Sequence, residues 1–165
     1  MKIIQKNWYL LIMFSICLSQ EVLPLTQRYF HTEDMGYDYS RGTYLIVLAS
    51  ADLESILEEE STGNFIHFKR TQGYNVDLMT MAEVGGTAEN LRSYLQYYYE
   101  SDPMLEYVLL VGDINGSYAL PSFTIPSYNE SDLDVTDYPY SFFDNSDILN
   151  PSFFIGRWSI RSQDD

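Results

Sequence analysis

Glu106-Tyr-Val-Leu-Leu-Val-Gly-Asp113 is the stretch that decides the fold. Its apolar run has no polar alternation, so it suits a short strand buried on both faces, the kind found in parallel sheets. A glycine and a carboxylate end it. Tyr44-Leu-Ile-Val-Leu-Ala49 has the same character, and Tyr74-Asn-Val-Asp-Leu-Met-Thr80 alternates apolar and polar residues as a strand does. Helical patterns lie between these runs. Asp52 is expected to cap a helix carrying Leu53, Ile56 and Leu57, which Ser61-Thr62-Gly63 interrupts. A second helical set carries Phe65, Ile66, Phe68 and Lys69 to Gly73, a residue suited to a helix stop. Gly85-Gly86 breaks the chain again, and Thr87 is a good N-cap for a helix whose stripe is Leu91, Tyr94, Leu95 and Tyr98. Strands alternating with helices predict a βαβαβ unit and a parallel sheet.

After Asp113 the pattern changes. Residues 114–152 are rich in Ser, Pro, Asn, Asp and Tyr and read as one long loop. Phe153-Phe-Ile-Gly156 resumes a strand pattern, and Ser162-Gln-Asp-Asp165 reads as the start of another helix. An α/β domain that stops there is expected to be the amino-terminal part of a larger one, over residues 43–165. Half a sheet leaves an apolar edge uncovered, so the part alone is expected to aggregate or to pack loosely.

Lys2 and Lys6 precede an apolar run from Trp8 to Leu18, which is short for a membrane span and turns polar at once. Residues 1–19 therefore read as a secretion signal cleaved after Ser19, and residues 20–42 as a lead-in. Ile16 fits poorly before a lipoprotein cysteine at Cys17. The predicted localisation is outside the cytoplasm, secreted or at the cell surface, with no membrane association after cleavage. Across all 165 residues, 24 Asp and Glu stand against 9 Lys and Arg. Removing residues 1–19 takes away two of those lysines and no acid. So acidic a chain is no nucleic-acid binder, since phosphate contacts need clustered Lys and Arg. Removal of the signal also takes away Cys17, the only cysteine, so the mature chain contains no thiol nucleophile.

Asp113, directly after a buried strand, sits where open parallel sheets place their ligands, and its carboxylate can hold a cation, orient a ligand or cap a turn. Asp132, Asp134, Asp137, Asp144 and Asp147 crowd the long loop. Their oxygens suit a hard cation such as calcium, or they are simply solvated; the spacing is not that of an EF-hand. His31 and His67 are isolated and form no zinc pattern. No Gly-x-Ser-x-Gly elbow occurs. Gly85-Gly86-Thr87 lacks the lysine and the glycine fingerprint of a phosphate loop, and reads as a turn with a cap.

Three ordered segments resemble the gingipain family of secreted cysteine peptidases. The first is Tyr44-Leu-Ile-Val-Leu, leading to Phe68-Lys-Arg-Thr-Gln-Gly-Tyr-Asn-Val76. The second is Thr87-Ala-Glu-Asn-Leu-Arg-Ser-Tyr-Leu95, running into Tyr107-Val-Leu-Leu-Val-Gly-Asp113. The third is Val135-Thr-Asp-Tyr138, then Asp144 to Asp147, then Phe154-Ile-Gly-Arg-Trp-Ser159. The resemblance implies a caspase-like α/β sandwich, of which this chain supplies the amino-terminal half. It also implies peptide-bond hydrolysis by a Cys nucleophile with a His partner from a Gly-His-Gly segment. Both lie after the Ile-Gly-Arg strand, in a half this chain does not contain, so no catalytic residue is carried over and the chain alone is expected to be inactive. The implied partners are a polypeptide substrate and the remaining half of the peptidase domain. A structural calcium is implied as well, with Asp113 and Asp147 as carboxylate ligands and Phe143 or Asp144 giving a backbone carbonyl. Where the family pattern has a further carboxylate, this chain has Asn150 or Ser152, which lowers the charge of the site. Two other functions fit the same sequence: a secreted, non-enzymatic, calcium-stabilised binding module, or a family transpeptidase acting on secreted cargo.

Overall fold

The computed structural model describes residues 41–127, 132–143, 150–163 and 165. Four strands form one parallel sheet in the order β2-β1-β3-β6: β1 Thr43–Leu48, β2 Asn75–Thr80, β3 Leu105–Val111 and β6 Phe154–Trp158. β1 pairs Thr43 with Asn75 and Leu48 with Thr80 on one side, and Leu48 with Val111 on the other. β3 pairs Tyr107 with Phe154 and Val111 with Trp158. The unbroken apolar run of β1 is buried from end to end, as its sequence predicts.

Alternate residues along the strands feed two cores. On one face Tyr44, Ile46, Leu48, Leu109 and Val111 meet Leu53, Leu57 and Ile66 of α1 Glu54–Leu57, its preceding turn, and α2 Phe65–Thr71. On the other face Leu45, Val47, Val108 and Leu110 meet Leu91 and Leu95. Those two leucines belong to α4 Ala88–Ser101, which follows the single turn α3 Met81–Val84. The predicted stripe of α4 is the buried one. The Thr87 side chain accepts a hydrogen bond from the Asn90 N–H at 3.1 Å, so the predicted N-cap forms. Gly73, at φ 88°, stands in the left-handed position that ends α2.

The first helix differs from the expectation. A 3-10 turn, Ala51–Leu53, precedes the four-residue α1, and Ser50 rather than Asp52 stands at its start. The Asp52 carboxylate instead accepts hydrogen bonds from the Tyr118 hydroxyl at 2.6 Å and from Gln163 Nε2 at 2.9 Å. These partners are remote in sequence. Ser162-Gln-Asp-Asp165 opens no helix among the described residues: the Asp165 carboxylate accepts the N–H of Ser162 at 2.8 Å and closes a turn.

The long loop is a crossover. It carries an antiparallel hairpin, β4 Phe123–Pro126 with β5 Leu133–Thr136, and a 3-10 turn Tyr138–Ser141. Leu120, Tyr140 and Phe153 join the core on the α4 face, and Arg92 of α4 donates to the carbonyls of Pro139 and Phe142. The β2-to-β3 and β3-to-β6 connections both move toward β6 and both use this face. The β1-to-β2 connection moves the other way and uses the opposite face. All three therefore share one hand, as parallel crossovers do.

Candidate functional site at the carboxyl rim of the sheet

The strands point their carboxyl ends at a rim built from residues 49–52, 112–121 and 157–163. Gly112 continues the ladder, its N–H donating to the Trp158 carbonyl at 2.9 Å. Its φ of 151° and the closeness of the Tyr118 carbonyl, 2.7 Å from where a Cβ would stand, leave room only for glycine. Residues 113–120 then fold back on the strand: the Asp113 N–H donates to the Tyr118 carbonyl at 3.0 Å and the Leu120 N–H to the Asp113 carbonyl at 2.7 Å.

Asp113 is buried, and its carboxylate has two partners. One oxygen accepts the Ile114 N–H at 2.7 Å and the other accepts Arg161 Nε. The Arg161 hydrogen bond, followed by the Ile114 amide, holds the carboxyl below the usual Asp range. Asp52, across the rim, is lowered by hydrogen bonds from the hydroxyls of Ser50 and Tyr118.

Arg157 organises the rim. It is nearly buried and makes five hydrogen bonds: Nε and Nη2 bind the two oxygens of Asp137 at 2.8 and 2.7 Å, and the rest reach the carbonyls of Gly112, Leu120 and Pro121. Ser122 Oγ donates to the same Asp137 at 2.6 Å. One guanidinium thus ties β6 to the turn after β3 and to the start of the hairpin. The fork geometry of arginine suits this bidentate pairing. A cavity of about 450 Å³ opens beside the rim, with Leu53, Ile56, Leu57, Trp158 and Ile160 among its walls. That volume lies within the range of small-ligand pockets.

Of the expected calcium ligands, Asp113 and Phe143 lie among the described residues. The Phe143 ring packs against Phe153 at 5.8 Å and Tyr99 at 6.0 Å. Phe153 immediately precedes the residue that pairs with Tyr107, six positions before Asp113. That puts the Phe143 ring toward the amino end of β6, whereas Asp113 follows the carboxyl end of β3. Asp144 and Asp147 lie outside the described residues. The Asp113 carboxylate already faces a guanidinium, and among the described residues no group of three His, Cys, Asp or Glu could hold a metal. His67 is exposed on α2; His31 lies outside the described residues.

The family model of peptidase family C25 matches residues 38–165. The chain belongs to this family. Two solved structures share the fold. One is the complex of Porphyromonas gingivalis RgpB pro- and mature domains, 24% identical with a TM-score of 0.54, covering 73% of this chain and 26% of that one. The other is described as a protease, 23% identical with a TM-score of 0.55, covering 79% and 27% respectively. This C25 chain thus spans about a quarter of the length of the solved structures it matches. A search of curated proteins finds no match. Sequence reasoning reached the family and the sheet. It missed Arg157 as the organiser of the rim, although alternation with exposed Phe154 and Trp158 puts Arg157 on the inner face, where a guanidinium needs partners.

Proposed function

We propose that this chain is the sheet-forming first part of a secreted cysteine endopeptidase. The observation that carries the reading is a pair: residues 38–165 match family C25, yet residues 18–165 contain no cysteine. The attacking thiolate and the His that moves its proton then come from sequence beyond this part, with backbone amides holding the oxyanion. This part contributes four strands and a carboxyl rim fixed by Arg157, and parallel α/β sheets work at that rim. The basic and apolar residues 2–18 support export. The fold of a pro- and mature-domain complex supports a polypeptide partner as well as a polypeptide substrate.

The test is to read the native transcript past the codon for Asp165. An open frame reaching a Gly-His-Gly segment and then a Cys supports the proposal. A stop codon directly after Asp165 overturns it and favours a binding module without catalysis.

A further inference from the structure

The carboxyl rim carries one turn whose tip takes no part in the Arg157 network. Its base is tied twice: the Asp113 N–H donates to the Tyr118 carbonyl, and the Leu120 N–H to the Asp113 carbonyl. The Tyr118 hydroxyl anchors it once more on Asp52. Between these ties Ile114, Asn115, Gly116 and Ser117 are all exposed. Gly116 has a φ of 91°, the left-handed conformation that lets the chain reverse there. Open space surrounds it, so its backbone conformation and not crowding asks for glycine.

Turn asparagines commonly bond their own backbone two residues on. Asn115 does not: among the described residues neither its side-chain amide nor the Ser117 hydroxyl has a hydrogen-bond partner. The fold therefore holds this asparagine in solvent without using it. Asn115-Gly116-Ser117 is also the Asn-x-Ser triplet that accepts N-linked oligosaccharide in exported proteins. Asn150-Pro-Ser152 has the same spacing, and its proline excludes it. Asn129-Glu-Ser131 is a second such triplet and lies outside the described residues.

We propose that Asn115 is a glycosylation site. The donor is an oligosaccharide linked to a polyprenyl diphosphate. A bond forms between Asn115 Nδ2 and the anomeric carbon of the first sugar. The bond from that carbon to the diphosphate oxygen breaks, the polyprenyl diphosphate leaves with its electron pair, and the amide gives up one proton. The inference rests on the export reading above, because the transfer takes place on the exported side of the membrane. It adds a statement about the complete domain: a glycan is bulky and solvated, so the tip at 114–117 stays in solvent there too.

The experiment is peptide mapping by mass spectrometry of the protein recovered outside the cells that make it. The peptide carrying Asn115 should bear a hexose-containing mass. An N-glycan amidase in heavy-oxygen water should remove it and leave a labelled carboxylate at position 115. Asn115→Gln and Ser117→Ala should abolish the modification, whereas Ser117→Thr keeps it. An unmodified Asn115 in the exported protein overturns the proposal, and so does a sugar that survives Ser117→Ala. A carboxylate formed without the amidase overturns it as well: it reports deamidation, in which the Gly116 amide nitrogen attacks the Asn115 side-chain carbonyl and expels ammonia. Recovery of the protein only inside the cells defeats the export reading instead. The mapping is then made with residues 1–19 replaced by the leader of an N-glycosylating host, where a glycosylated Asn115 sustains the site and a bare one overturns it.

Discussion

β1 and β6 are short apolar strands of one parallel sheet, and they have opposite surroundings. β1 is buried at every residue, with α1 and α2 on one face and α4 on the other. β6 is covered only on the α4 face, where Ile155 and Arg157 meet the crossover, and is exposed at Phe154, Gly156 and Trp158. The difference shows that apolar sequence creates a demand for burial which one region meets inside this part of the domain and the other does not. It also shows that the free side is held by a different kind of bond. β1 is secured by packing, while β6 is secured by the Arg157 fork.

Breaking that fork is expected to have the largest effect. Arg157→Ala takes the guanidinium from Asp137 and from the Gly112 and Leu120 carbonyls, while Ser122 still donates to Asp137 and the Tyr140 hydroxyl to Pro121, and the loss of one partner of a mostly buried pair costs roughly 3–5 kcal/mol. Chemical denaturation checks this; a cost near zero shows that packing alone holds β6. The core contrast comes next. Ile46→Ala, at a fully buried position, costs about 2–5 kcal/mol. Phe154→Ala in the chain ending at Asp165 costs under ~1 kcal/mol. Equal costs from the two denaturation curves would erase the distinction between the strands.

The smallest effect concerns the rim. The Asp113 carboxyl is lowered by Arg161 and the Ile114 amide. Its stabilising contribution is therefore present above the ordinary Asp value of 3.8 and is lost as pH falls through the lower folded value. Asp113→Asn should flatten the acid limb of a stability–pH profile by lowering the neutral plateau by the same amount, a small one because Arg161 is largely exposed. The same variant should leave any response of the melting midpoint to calcium unaltered. A calcium-dependent rise that vanishes in Asp113→Asn would identify Asp113 as a metal ligand.

Much of the sheet was legible because Tyr44–Leu48 and Tyr107–Val111 are continuous apolar runs, and because Thr87 and Gly73 punctuate the helices by local chemistry. The hairpin was not. Ile125, Leu133 and Val135 are exposed, so no burial pattern marks those strands as half-buried. The Asp52 cap failed because its carboxylate bonds Tyr118 and Gln163, partners that local spacing cannot reveal. The calcium set is a different case, because Asp144 and Asp147 lie outside the described residues. Spacing along the loop does not say at which end of the sheet Phe143 arrives, and the aromatic packing of Tyr99, Phe143 and Phe153 carries it to the amino rim.

Peptide-bond hydrolysis, measured with and without prior thiol alkylation, tests the central claim most directly. The product of the whole reading frame should cleave an unfolded protein substrate and lose that activity on alkylation, while the chain ending at Asp165 cleaves nothing. Hydrolysis by the shorter, signal-free chain, untouched by alkylation, would contradict the account, because that chain has no thiol to supply.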